Sequence, residues 1–147
     1  MANSLENSYS DPRYGVKQNL RLPDTGANQT SVIAADTVIA RVTVFENILV
    51  KDWNCIAVVG ATQTGTAASA RNYVEVGKSL GGTGTVAPFG SAFIGGTIAD
   101  NTVIDSTATE TTFVAGDDIV LQYAAATGLA ASAFRAGGLV SYVENFV

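Results

Sequence analysis

Histidine does not occur in this 147-residue chain, which removes the side chain most often used as a general base and as a metal ligand near neutral pH. Ser-His-Asp and Cys-His arrangements cannot be assembled. Cysteine occurs once, at Cys55, so no internal disulfide can form. Its setting in Trp53-Asn-Cys-Ile-Ala-Val-Val predicts a buried thiol in a strand. Charge is scarce as well: 14% of residues are charged and 47% hydrophobic, whereas globular chains carry about a quarter charged. Part of the surface is therefore expected to be covered by a partner. The net charge of −5 is the wrong sign for gripping a phosphate backbone, so nucleic acid is not an expected partner. No apolar run approaches the roughly 18 to 20 residues of a membrane span, and the N-terminus lacks the basic-then-apolar order of a signal peptide. The expectation is a protein made in a cytoplasm, with no membrane partner.

What is present is strand texture. The stretch from Val103 to Val147 holds Thr111-Thr-Phe-Val, Ile119-Val-Leu-Gln-Tyr and Gly138-Leu-Val-Ser-Tyr-Val, runs of β-branched and aromatic residues bounded by Gly and Asp, as in antiparallel strands. Thr37 to Glu46 alternates from Ile39 onward, with Ile39, Arg41, Thr43 and Phe45 on one side and Ala40, Val42 and Val44 on the other, a half-buried strand. Trp53 to Val59 is a continuous apolar run, the mark of a central strand. Further pieces fall at Asn72 to Val76, at Thr85 to Thr97 in two parts separated by Gly90, and at Val103 to Ile104. About eight to ten short strands at this spacing predict an all-β antiparallel sandwich or closed barrel. Ala124 to Phe134 is rich in Ala but interrupted by Gly128, and is expected to be a loop. Periodicity does not distinguish a jelly roll from an immunoglobulin-like order, because strand order is set by long-range pairing.

The first 30 residues differ. They are polar, hold Pro12 and Pro23, and balance Arg13, Lys17 and Arg21 against Glu6, Asp11 and Asp24. They read as a neutral extended arm (1–30) on an acidic single body (31–147). Val16, Leu20 and Leu22 stand at even-numbered intervals, which suits a strand laid on another surface.

Motifs for chemistry fail their context. Gly60 and Gly65 follow an apolar run as in a phosphate-binding loop, but the Lys that contacts the phosphates is missing. Gly82 and Gly84 mimic a dinucleotide fingerprint, yet Pro88 interrupts the helix it needs. Asp117 and Asp118 are adjacent, point to opposite faces of a strand and so do not form a catalytic pair; after Gly116 they shape the turn into Ile119. A calcium site would have to draw on Asp100, Asp105, Asp117 or Asp118, which lack a spaced loop motif. Catalytic residues, cofactor-binding residues and metal ligands are accordingly assigned to none, and the expectation is a protein that is not an enzyme. Trp53, Phe89, Phe93 and Tyr123 are either core or the lining of a sugar-binding face.

Four segments in order carry a resemblance: Asp36-Thr-Val-Ile-Ala-Arg-Val-Thr-Val, Ile56-Ala-Val-Val-Gly-Ala-Thr, Gly82-Thr-Gly-Thr-Val, and Thr111-Thr-Phe-Val-Ala-Gly-Asp-Asp-Ile-Val-Leu. Over residues 31 to 147 their texture and order resemble the decoration, or cement, proteins on the heads of tailed bacteriophages. The resemblance implies a jelly-roll-like sandwich assembled as a homotrimer on the outer surface of the capsid. The major capsid protein is its partner and no cofactor is needed. On this expectation Tyr9, Arg13, Tyr14, Lys17, Leu20 and Arg21 of the arm contact the shell. Phe134 and Tyr142 belong either to the trimer interface or to the core of one protomer. The alternative is a receptor- or carbohydrate-binding head module of a viral surface protein, with its aromatics exposed.

Overall fold

The computed structural model describes residues 17–24, 37–59, 62–63, 73–81, 84–94, 96–104, 106–124 and 135–144. Among them every regular element is a strand. In chain order these are β1 (Gln18–Leu22), β2 (Thr37–Thr43), β3 (Ile48–Val59), β4 (Thr62–Gln63), β5 (Tyr73–Ser79) and β6 (Val86–Phe93), then β7 (Gly96–Thr97), β8 (Thr102–Ile104), β9 (Ser106–Ala108), β10 (Thr111–Phe113), β11 (Asp118–Ala124) and β12 (Arg135–Glu144).

Pairing is nested. β1 joins β12, β2 joins β11, β3 joins β10 and β5 joins β6, all antiparallel. These are the pairs of one long hairpin whose two arms travel together. Rolling it up sets β12 beside β3 and β11 beside β5, which yields sheets ordered β1-β12-β3-β10, with β8 also on β3, and β2-β11-β5-β6-β9. The two sheets form an antiparallel β-sandwich with jelly-roll strand order, in which consecutive strands switch sheets.

The inner faces follow the period-2 pattern, interrupted on β3 between Val50 and Trp53 by a bulge at Lys51. Val50, Trp53, Cys55 and Ala57 from β3 meet Val74 and Val76 from β5 and Ile119, Leu121 and Tyr123 from β11 in one buried cluster. On β2 the alternation holds from Ala40 to Val44. It fails at Ile39, which packs toward the core because a bulge pairs Leu121 with Ala40 and Gln122 with Val38, leaving Ile39 as the extra residue.

One side of the sandwich is closed by a corner. β8 pairs with β3 in one sheet and β9, two residues on, with β6 in the other. The Trp53 indole N–H donates to the Thr107 carbonyl at 3.0 Å, and the Ser106 hydroxyl donates to the Trp53 carbonyl at 2.8 Å. This corner explains Gly90. The sequence pattern splits 85–97 there, yet β6 runs through it, because a Cβ at this position would collide with the Trp53 indole and lie 2.6 Å from the Thr107 oxygen. Glycine permits the close approach rather than a break.

Residues 18–22 also depart from the sequence pattern, which places them in the arm. They form β1, paired with β12 in five-residue register, and Leu22 is fully buried in the core. The boundary at residue 30 therefore cuts a strand away from its sheet. The even spacing of Leu20 and Leu22 marks a strand laid on the chain's own last strand, 120 residues away, a pairing that local pattern does not reveal.

Candidate functional site

The described contact candidates gather where β1 begins. Lys17 and Arg21 are exposed, whereas Leu20 is half-buried against the core. Around them β1 is fastened by side chains as well as by its ladder. The Tyr142 hydroxyl donates to Gln18 Oε1 at 3.2 Å, the Ser141 hydroxyl donates to Asn19 Oδ1 at 2.8 Å, and Arg135 forms a 2.7 Å ion pair with Asp24. Tyr142 is half-buried and packs on the core cluster. Tyr9, Arg13, Tyr14 and Phe134 lie outside the described residues.

Opposite the closed corner, β1 and β2 end their sheets on the same side. An apolar groove of about 440 Å³ opens there, lined by Leu20, Val42, Val44, Ile48 and Tyr142, with Gln18, Glu46 and Glu144 at its rim and Phe45 beside it. The groove leads to one end of the sandwich, built from three adjoining loops. Val44 and Gly116 tie the loop after β2 to the loop before β11, through Val44 N–H to the Asp117 carbonyl at 2.8 Å and Gly116 N–H to the Val44 carbonyl at 2.7 Å. The Ala115 N–H donates to Asn47 Oδ1 at 3.1 Å. Gly81, in the loop after β5, faces the Gly116 carbonyl. Gly81 and Gly116 both have positive φ, 49° and 98°, which lets the loops turn this tightly.

The adjacent aspartates anchor this end. Asp117 accepts from the Val114 N–H at 2.9 Å and pairs with Lys78 at 2.8 Å. Lys78 also donates to the Thr112 carbonyl at 2.8 Å and stands 5.2 Å above the Phe113 ring centroid, so one ammonium ties the two sheets together. Burial pushes the Asp117 carboxyl up, but the Lys78 hydrogen bond, the Val114 N–H and the Lys78 charge outweigh it and hold the carboxyl below its ordinary range. Asp118 faces the other way, to Arg41 at 2.8 Å and the Thr43 hydroxyl at 2.7 Å. Two paired carboxylates on opposite faces have a structural role. Asp100 lies in the turn before β8, at the far end of the sandwich from Asp117, so Asp100, Asp117 and Asp118 do not converge on one ion; Asp105 lies outside the described residues. Among the described residues no cluster of His, Cys, Asp or Glu would hold a metal.

Of the four aromatics weighed for a sugar-binding face, Trp53 and Tyr123 are fully buried. Phe89 is half-buried, edge-on to Phe113 at 5.7 Å, and Phe93 is tilted against Tyr73 at 5.6 Å. The Cys55 thiol is buried, and loss of solvation pushes it up to about 12, far from a reactive thiolate.

Large apolar side chains reach solvent on the strands, at Val38 and Val103, and on the loops of this end. Phe45 is 87% exposed, Leu80 62% and Val114 50%, one on each of the three adjoining loops. The alternation of β2 puts Phe45 on the outward side with Arg41 and Thr43. An aromatic on the outward side of such a strand was the available signal for a contact residue. Comparison with known protein families, curated proteins and solved structures gives no match.

Proposed function

We propose that this chain is a capsid decoration protein: a homotrimer that attaches to the outside of an assembled bacteriophage head and stabilises it by bridging neighbouring capsid subunits. The observation that carries this reading is the way the N-terminal segment is rooted. A bridging protein must transmit load from its contact element to its body, and here residues 1–16 continue into a strand that is laddered to β12 and locked by the buried Leu22. Arg21 on that strand and Lys17 just before it are exposed, available for carboxylates or carbonyls of a shell subunit. The low charge of the chain suits surfaces covered by protein. Stabilisation follows from binding the assembled shell in preference to its free subunits, which lowers the free energy of the shell by mass action. No bond is made or broken.

The test is density-gradient sedimentation of the native source lysate, with the chain located by mass spectrometry. The reading expects it in a particle-sized peak together with an abundant, larger shell protein. A full-length chain found only near the top of the gradient, as a small free oligomer, would sink it. A deletion that tests the arm must stop at residue 16, since removing residues 1–22 would also remove β1 and Leu22.

A further inference from the structure

The outer face of the sheet β2-β11-β5-β6-β9 carries a row of side chains set by strand register. Val38 pairs with Gln122, Gln122 with Glu75, Glu75 with Ser91 and Ser91 with Thr107. The row therefore crosses all five strands, roughly 19 Å at about 4.8 Å per gap. Two hollows follow it. One, of about 350 Å³, is lined by Val38, Gln122 and Glu75 with Val86 and Pro88; the other, of about 490 Å³, is lined by Glu75, Pro88, Phe89, Ser91 and Thr107, so the two meet at Glu75 and Pro88. Each is the size of a small-molecule site, about 300–1,000 Å³. Gln122 is the informative member. It lies between Leu121 and Tyr123 of the core but on the opposite face of β11, is 5% exposed and lines the first hollow. Its amide has no hydrogen-bond partner among the described residues. A buried amide left unpaired destabilises a fold, so its retention calls for a reason, and the hollow beside it supplies one.

We propose that this row is a binding site for a neutral oligosaccharide. An amide, a carboxylate and two hydroxyls in succession offer the mixed donors and acceptors that sugar hydroxyl groups need. Val38, Val86 and Pro88 add apolar walls for the C–H faces of a ring. The Thr107 hydroxyl donates to the Ser91 carbonyl at 3.4 Å, which leaves its oxygen as an acceptor. Among the described residues that line the two hollows there is no Lys or Arg, so a phosphate, sulfate or carboxylate group finds no opposite charge there and meets Glu75 instead. Glu75 already has a partner in the chain, so it does not call for an organic cation. The inference goes beyond the decoration reading and does not depend on it: the row uses no residue proposed for shell contact, and glycan adhesion is a second activity of the same body.

The experiment uses the full-length chain, free of particles. An array of neutral hexose and N-acetylhexosamine oligosaccharides is screened, and the best binders are titrated against isotope-labelled protein by amide chemical shift, with inorganic phosphate and spermidine as charged probes. The proposal expects saturable shifts at Glu75, Ser91, Thr107 and Gln122 with a neutral oligosaccharide and none there with either charged probe. Gln122→Met, of similar length but without donor or acceptor, should bind about tenfold more weakly. Its melting midpoint should be no lower than that of wild type, because the amide has no partner to lose. Val38→Trp, which sets a large ring over the first hollow, should also weaken binding, and Val103→Ser on the other sheet should bind as wild type does. The amide spectrum reports whether each variant folds, and the exposed Val38 carries the test if Gln122→Met does not. An array with no binder, shifts confined to residues off the row, a folded Val38→Trp that binds as wild type does, or occupation by phosphate or spermidine instead overturns the proposal. A lowered midpoint in Gln122→Met gives the amide a structural role and overturns it too. All of these results leave the decoration reading standing, since sedimentation with the particle decides that separately.

Discussion

Gly90→Ala is a single-methyl test of how the two sheets are joined. The added Cβ would stand 2.6 Å from the Thr107 oxygen and 2.9 Å from Trp53 Cδ1, and closer still to the indole nitrogen. Neither neighbour yields easily, since one is backbone and the other a wholly buried ring. Relief requires the indole to swing away, which breaks its 3.0 Å bond to Thr107. A buried donor left without its partner costs about 1–3 kcal/mol, and overpacking adds about 1–3 kcal/mol. The total of about 2–6 kcal/mol, at roughly 2–4 °C per kcal/mol for a domain of this size, lowers the melting midpoint by roughly 4–24 °C. The assay is thermal unfolding at fixed protein concentration, followed by fluorescence. Trp53 is the only tryptophan, so the emission reports this site alone. In a Trp53→Phe background the hydrogen bond to Thr107 is already absent, so the part of the Gly90→Ala penalty that comes from breaking it disappears, and a double-mutant cycle followed by circular dichroism measures the coupling. A Gly90→Ala protein with unchanged midpoint and emission refutes the packing of the corner.

Leu22→Ala should cost about 2–5 kcal/mol in urea denaturation, as for other buried leucines; a loss below about 0.5 kcal/mol, the size of a surface change, would return β1 to the arm. Asp117, with its carboxyl held below the ordinary 3.8, contributes stability that is full above about pH 4 and lost as pH falls through its folded value. The urea midpoint of the wild type should therefore drop more steeply below pH 4 than that of Asp117→Asn, and parallel curves would contradict the Lys78 pairing. Cys55 should resist a thiol reagent in the native protein at pH 8 and react once the chain is unfolded in urea; fast labelling of the folded form would show that the β3 face is open.

The strands were legible wherever one face is buried and the neighbour lies close in sequence. Alternation alone separated Ala40, Val42 and Val44 from Ile39, Arg41, Thr43 and Phe45, a division that holds except at Ile39, and the Gly116-Asp-Asp turn before β11 was evident from residue type. Nonlocal pairing was hidden. β1 is recognisable as a strand of the body only through β12, Gly90 only through the indole lying across it, and Ile39 only through a bulge that depends on β11. Jelly-roll order likewise follows from nested pairs whose members lie far apart in the chain, which periodicity does not record. At the candidate site, exposure singled out Phe45, Leu80 and Val114; the sequence shows each as one more apolar residue near a turn, and the placing of the first and last on adjoining loops depends on nonlocal hydrogen bonds between residues 44–47 and 114–117.

The central claim is that this protein stabilises an assembled shell, and its most direct measurement is the disruption temperature of purified particles stripped of the chain and titrated with it. The account predicts a rise that saturates with added full-length chain and is weaker when residues 1–16 are absent. A disruption temperature that stays constant while the chain is demonstrably bound at saturation would contradict it.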